Sequence, residues 1–322
     1  MAPVRFLSTP SQPQSQPQVH AAEAMRPFTN EISMLFSSGV SGGNRRRILC
    51  YGDSLTAGFY DGGRWFQPYG RMLADELAAY GGRCEVVVCG LSGKSAEDMA
   101  TNTNSTLVDV CGISWKGISR VLREDGPFDL AILMAGTNDL PYPSKRCAAA
   151  TNILQLHTAC HAVGVPTLAI AMPPAPCGSE LWCRDREQLL KQMKNLFSKF
   201  ARDAKLNYHM MTFFDPADLL RPDDKMLWDC DGLHFSQIGS VVLGKCLAKM
   251  ILEMQNPHGD FSRQIRGRQL PTSPISRQQW AMKAQSTLPP LQTSYAWNTK
   301  SCKNSCKKPE LFIGRYVKLG CF

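Results

Sequence analysis

The sequence predicts an α/β protein whose central sheet is parallel and covered by helices. Three observations predict it. Short strand-like apolar runs alternate along the chain with segments of helical periodicity, the order expected of a parallel sheet with crossover helices. One run, Asp129–Ala135, is uninterrupted from Leu130 onward, as in a strand buried on both faces. The glycine and proline pairs Gly81-Gly82 and Pro173-Pro174 fall between the periodic segments, where breaks belong.

The elements follow in order. Arg47–Tyr51 (Arg-Ile-Leu-Cys-Tyr) reads as the first strand, closed by a tight turn at Gly52-Asp53-Ser54. Trp65–Tyr80 carries Phe66, Tyr69, Met72, Leu73 and Leu77 at helical spacing and ends at Gly81-Gly82. Cys84–Cys89 is β-branched at its centre and reads as the second strand. A helix over Ile113–Glu124 stops before Pro127, and the third strand is Asp129–Ala135. Ala148–Val163 is a helix that Gly164 ends, and Thr167–Met172 is a strand stopped by Pro173-Pro174. An amphipathic helix over Asp185–Ala204, a fifth strand at Met210–Phe214 and a closing helix at Ser236–Met254 complete the pattern, with Ser236 as its N-cap. No internal repeat is present.

Charge divides the 322 residues into three parts. The whole chain has 36 basic and 27 acidic residues, a formal charge of +9. Residues 1–47 carry +3, residues 48–255 carry −3 and residues 256–322 carry +9. The expected organisation is a disordered, Pro/Gln/Ser-rich extension over 1–45, one domain over 46–255, and a basic, mostly irregular tail over 256–322 with a small ordered patch at Leu311–Val317. A mildly acidic domain excludes nucleic-acid binding by a basic fold, while the basic tail is left to contact an anionic partner. No apolar run approaches the ~18 residues of a membrane helix. Met1–His20 has no apolar leader, which predicts a cytoplasmic protein. The basic, acid-poor extension leaves organellar targeting open. Thirteen cysteines, odd in number and scattered, read as free thiols rather than disulfides; Cys50, Cys89, Cys160 and Cys246 fall within apolar segments.

Four polar blocks sit just after predicted strands, where a parallel sheet places its ligand site. They are Gly52-Asp53-Ser54-Leu55-Thr56, Gly90-Leu91-Ser92-Gly93-Lys94-Ser95, Gly136-Thr137-Asn138-Asp139 and Asp231-Gly232-Leu233-His234. A serine becomes nucleophilic only beside a base that a third group orients. Ser54 is the candidate nucleophile, His234 the base and Asp231 the orienting acid. Acyl transfer also needs donors aimed at the developing oxyanion. The amides of Ser54 and Gly93 and the side chain of Asn138 suit that role.

These blocks, in this order, resemble those of the SGNH hydrolases, the GDSL esterase/lipase family. The family's four named residues match Ser54, Gly93, Asn138 and His234, over about residues 46–254. The resemblance implies a flavodoxin-like three-layer α/β/α fold and ester hydrolysis without metal or cofactor. Its first two blocks look most like the arylesterase and carbohydrate-esterase-like branch, which implies short-chain acyl or acetyl esters as substrates. A lipase or thioesterase on the same residues, or a binding protein on a hydrolase scaffold, is the alternative. In the second block Gly93 is preferred to Gly90.

Other readings are less specific. Asp53 and Asp139 suit loop-holding roles through side chain-to-backbone bonds. Asp215 and Asp218 are alternative acids, but the Asp231 spacing to His234 is better. His157 and His161 lie four apart on a helix, a spacing that also suits zinc, with no third ligand in view. Cys302, Cys306 and Cys321 make an incomplete metal set. Trp65, Phe66, Pro173, Pro174, Leu181 and Trp182 are candidates for an acyl or aryl pocket, and Pro173–Arg184 for a rim over it.

Overall fold

The computed structural model describes residues 46–82, 84–203 and 210–255. The expectations for the N-terminal extension, the basic tail and its cysteines lie outside the described residues.

Five strands form one sheet: β1 (Arg46–Gly52), β2 (Cys84–Gly90), β3 (Leu130–Met134), β4 (Thr167–Ile170) and β5 (Met211–Phe214). Their spatial order is β2-β1-β3-β4-β5, and every neighbouring pair is parallel. This is the flavodoxin-like order, with helices on both sides. On one side α1 (Tyr69–Ala79) packs against α6 (Gln237–Gln255). On the other, α4 (Pro143–His161) packs against α2 (Ala96–Thr101), α3 (Ile118–Glu124) and α5 (Glu180–Asp203). Every residue of β3 and β4 is buried, whereas only Thr212 of the edge strand β5 is. Each buried Val, Leu or Ile contributes roughly 1.5–3 kcal/mol, so the apolar run of β3 explains its central position.

The structure moves several expected boundaries. Trp65–Phe66 is not helical but pairs antiparallel with Phe59–Tyr60. Pro68 holds an extended conformation there, and α1 begins only at Tyr69. The helix expected from Ile113 begins at Ile118, because Ser114–Lys116 pairs with Thr106–Val108 as a second hairpin. Helix α4 starts at Pro143, five residues before the expected Ala148, since proline fits the first helical position. Helix α5 starts at Glu180 and draws Trp182 into its first turn. Helix α2 was not expected; Ser95 caps it, accepting from Asp98 N while the Asp98 carboxylate accepts from Ser95 N. Ser236 does cap α6, its hydroxyl accepting from Gly239 N at 3.1 Å.

Candidate active site

Parallel register brings Gly52, Gly90 and Met134 level at the carboxyl ends of three adjacent strands. The chain passes from β1 to β2 on one side and from β2 back across to β3 on the other side of β1, so a crevice opens at this end of the sheet. Gly52 is required here by space: a β-carbon would meet the Met134 carbonyl oxygen at 1.9 Å. Beyond it Asp53 accepts from Leu55 N at 3.0 Å and starts a single helical turn, Ser54–Ala57. That turn presents Ser54, buried to 7 % exposure, at the strand end.

The loop before α6 brings His234 to it. His234 Nε2 lies 2.9 Å from Ser54 Oγ across 180 residues of sequence. Nδ1 lies 2.6 Å from Asp231 Oδ2. Asp231 Oδ1 also accepts from the amides of Leu233 (2.8 Å) and His234 (2.9 Å). A carboxylate is acceptor-only, so Nδ1 carries the proton and Nε2 is left to accept from the serine hydroxyl. Burial pushes the Asp231 carboxyl up, but the His234 side chain and the two amides outweigh it and hold it at about 2. Asp231 is therefore ionised at neutral pH.

The second and third blocks meet beside this row. Gly93 takes a left-handed conformation, φ 74°, whereas Gly90 is the paired end of β2. Asn138 Nδ2 donates to the Lys94 carbonyl at 3.0 Å. Asp139 Oδ2 accepts from Ala96 N at 2.8 Å, and Leu91 N donates to Gly52 O at 2.9 Å. The three loops are thus tied to one another. Burial raises the carboxyl of Asp53 to about 7 and that of Asp139 to about 6, against hydrogen bonds that lower both. These two aspartates hold the loops, with Asp53 capping the Ser54 turn and Asp139 reaching the start of α2.

Three features of the site escaped sequence reasoning. The Phe59 ring sits 4.6 Å from the His234 ring, held by two bonds from its hairpin, one to the first residue of α6 and one to the histidine loop. These are Gln237 Nε2 to Tyr60 OH (2.6 Å) and Asp61 N to Asp229 Oδ2 (2.7 Å). Buried Arg186 donates to the Met172 carbonyl (2.8 Å) and to Asp215 (2.7 Å), fastening α5 to the ends of β4 and β5. Asp215 is thereby engaged away from His234. The hairpin 106–116 approaches Gly93. None of the three has a local signal, because each contact joins residues far apart in the chain.

The proposed pocket residues separate. Trp182 is buried, whereas Trp65 and Leu181 are exposed. His157 Nδ1 and His161 Nε2 both turn to the Thr167 hydroxyl, at 2.8 and 2.9 Å. Among the described residues no group of three or more His, Cys, Asp or Glu side chains is placed to hold a metal, and no helix is long and apolar enough to cross a membrane.

A serine hydroxyl, an imidazole and a carboxylate thus stand in line at the carboxyl ends of the sheet strands. Residues 50–241 match the GDSL-like Lipase/Acylhydrolase family model, and the chain belongs to that family. It is an ester-bond hydrolase. Among solved structures, a carbohydrate acetylesterase family member from Sinorhizobium meliloti is 21 % identical, with 66 % of this chain and 99 % of that one covered and a TM-score of 0.50. A family 3 carbohydrate esterase from Clostridium thermocellum is 19 % identical, covering 67 % and 100 %, with a TM-score of 0.48. At these identities the first likeness is one of fold. Comparison with curated protein sequences gave no match.

Proposed function

We propose that this chain hydrolyses carboxylic esters through Ser54, His234 and Asp231 by way of an acyl-enzyme, with short-chain acyl or acetyl esters as the first class to test. The observation that carries the reading is the unbroken row from Ser54 Oγ through His234 to Asp231. His234 Nε2 takes the hydroxyl proton as Ser54 Oγ attacks the ester carbonyl carbon. The carbonyl oxygen becomes an oxyanion and accepts from the Ser54 and Gly93 amides and Asn138 Nδ2. Asn138 is held for this by its bond to Lys94, which occupies one of its two N–H groups. The bond to the alcohol then breaks, and the imidazolium gives its proton to the leaving oxygen. Water deprotonated by His234 attacks the acyl carbon, the bond to Ser54 Oγ breaks, His234 returns the proton to that oxygen, and the acid leaves. Asp231 stays ionised throughout and stabilises the transient imidazolium. The reaction needs only residues 46–255, whose mild negative charge calls for no anionic partner.

The test is release of p-nitrophenol from p-nitrophenyl acetate by wild type and by Ser54→Ala. The variant is expected to lose at least about 10³-fold in kcat, and a fluorophosphonate probe to label wild type alone. Equal rates would refute the nucleophile.

A further inference from the structure

The hairpin of Thr106–Val108 and Ser114–Lys116 stands outside the central sheet. Its side chains alternate: Leu107 and Asp109 are buried, while Val108 and Val110 are 53 % and 54 % exposed. The Asp109 carboxylate is spent inside the tip. Its Oδ1 accepts from Cys111 N (2.8 Å) and Ile113 N (2.9 Å), and its Oδ2 from Trp115 Nε1 (2.9 Å). The tip therefore has one shape and offers no carboxylate outward. Val110 N donates to the Ser92 carbonyl at 3.1 Å, which docks the tip onto the second block. A β-carbon placed on Gly93 would lie 2.4 Å from Val110 Cγ1. Val110 fills the space a side chain at 93 would take, in van der Waals contact with the Gly93 backbone.

We infer that Val110 is a specificity-determining residue, an apolar wall against which a hydrocarbon substituent of the ester lies. The inference rests on Gly93 N–H holding the oxyanion. A carbonyl oxygen bound there sits about 3 Å from that nitrogen, so one arm of the ester starts within a few bonds of the Val110 methyls. Of the eight large hydrophobic side chains exposed among the described residues, Trp65, Val108, Val110, Tyr142, Leu181 and Met226 lie in segments that follow the carboxyl ends of sheet strands. Tyr80 and Val163 lie at the opposite edge.

The test uses the full chain with Val110→Ala, which removes the methyls, and Val110→Thr, which keeps the shape and adds a hydroxyl. Val163→Ala, the same change at the far edge, is the control. Two ester series are compared: p-nitrophenyl acetate to octanoate, which varies the acyl arm, and ethyl to octyl acetate, which varies the alcohol arm. Each methylene buried on the wall is worth up to about fourfold in kcat/KM. Both Val110 variants are expected to lower the long-to-short kcat/KM ratio at least about threefold in one series and to leave it unchanged in the other. The series that responds identifies the arm on Val110. Unchanged ratios in both series overturn the inference. An equal fall for every ester also overturns it, since Val110 would then merely prop Gly93. Activity remaining in Ser54→Ala would instead remove the reaction itself, a failure separate from any result at Val110.

Discussion

Replacing Asp231 with asparagine tests the charge and the tautomer together. The new side chain keeps an oxygen for the Leu233 and His234 amides, so the turn survives. Its NH₂ group, however, cannot accept from Nδ1. The imidazole proton is driven to Nε2, which then has no lone pair for the Ser54 hydroxyl. Loss of the correct tautomer costs about 10³–10⁴ in kcat, or roughly 4–5.5 kcal/mol of transition-state stabilisation. Stability provides a second readout. Holding the Asp231 carboxyl near 2 instead of ~3.9 amounts to at most about 2–3 kcal/mol. The folded value is the lower one. This stabilisation is therefore complete above about pH 5 and disappears as pH falls through about 4 toward 2. Wild type should thus exceed Asp231→Asn in unfolding free energy at pH 7, and the two should converge near pH 2. The assays are p-nitrophenyl acetate hydrolysis and urea unfolding at several pH values. A variant that retains kcat within tenfold of wild type while losing stability would refute the reasoning, leaving Asp231 as a turn residue only.

Two further outcomes are expected. Gly93→Ala must hold φ 74° and meet Val110 Cγ1 at 2.4 Å; the conformation alone costs about 1–2 kcal/mol. A melting temperature lower by several degrees and a kcat/KM reduced more than about tenfold are predicted, and an unchanged melt with unchanged activity would contradict this. Burial lowers His157 to about 3 and His161 to about 4. Between about pH 4 and 6.5 the unfolded chain binds protons that the folded chain refuses, so these histidines withdraw stability as pH falls through ~6.5. His157→Gln should reduce the pH slope of unfolding free energy between pH 5 and 6 by about 1 kcal/mol per pH unit. Asp53 acts with the opposite sign but is common to both proteins. An unaltered slope would show that His157 is not held neutral.

Much of the sheet was legible because strand identity is carried by adjacent residues. Leu130–Met134 is apolar throughout and is buried throughout, and Gly81-Gly82 and Pro173-Pro174 fall between elements as expected. Boundaries were less legible where two local preferences competed. Trp65 and Phe66 fit a helical stripe, yet pairing with Phe59 and Tyr60 wins. Pro143, five residues ahead of the expected start at Ala148, takes the first position of α4. The capping box at Ser95 and Asp98 was readable in principle, but six residues are too few for an apolar stripe to reveal the helix.

The candidate site divides along the same line. Ser54, Gly93, Asn138, Asp231 and His234 stand in short blocks whose turns demand particular residues, and glycines mark where backbone must pass close to backbone. Sequence alone determined the fold class, the order of the blocks and the chemistry they suit, since these follow from periodicity and turn geometry between near neighbours. Only the tertiary structure decided that Nε2 of His234 lies 2.9 Å from Ser54 Oγ, that Phe59 lies against the imidazole and that Val110 takes the space beside Gly93. Those are contacts between distant segments. They depend on how far α6 and the two hairpins travel before packing stops them, a quantity set by the whole core and written in no single stretch of the chain.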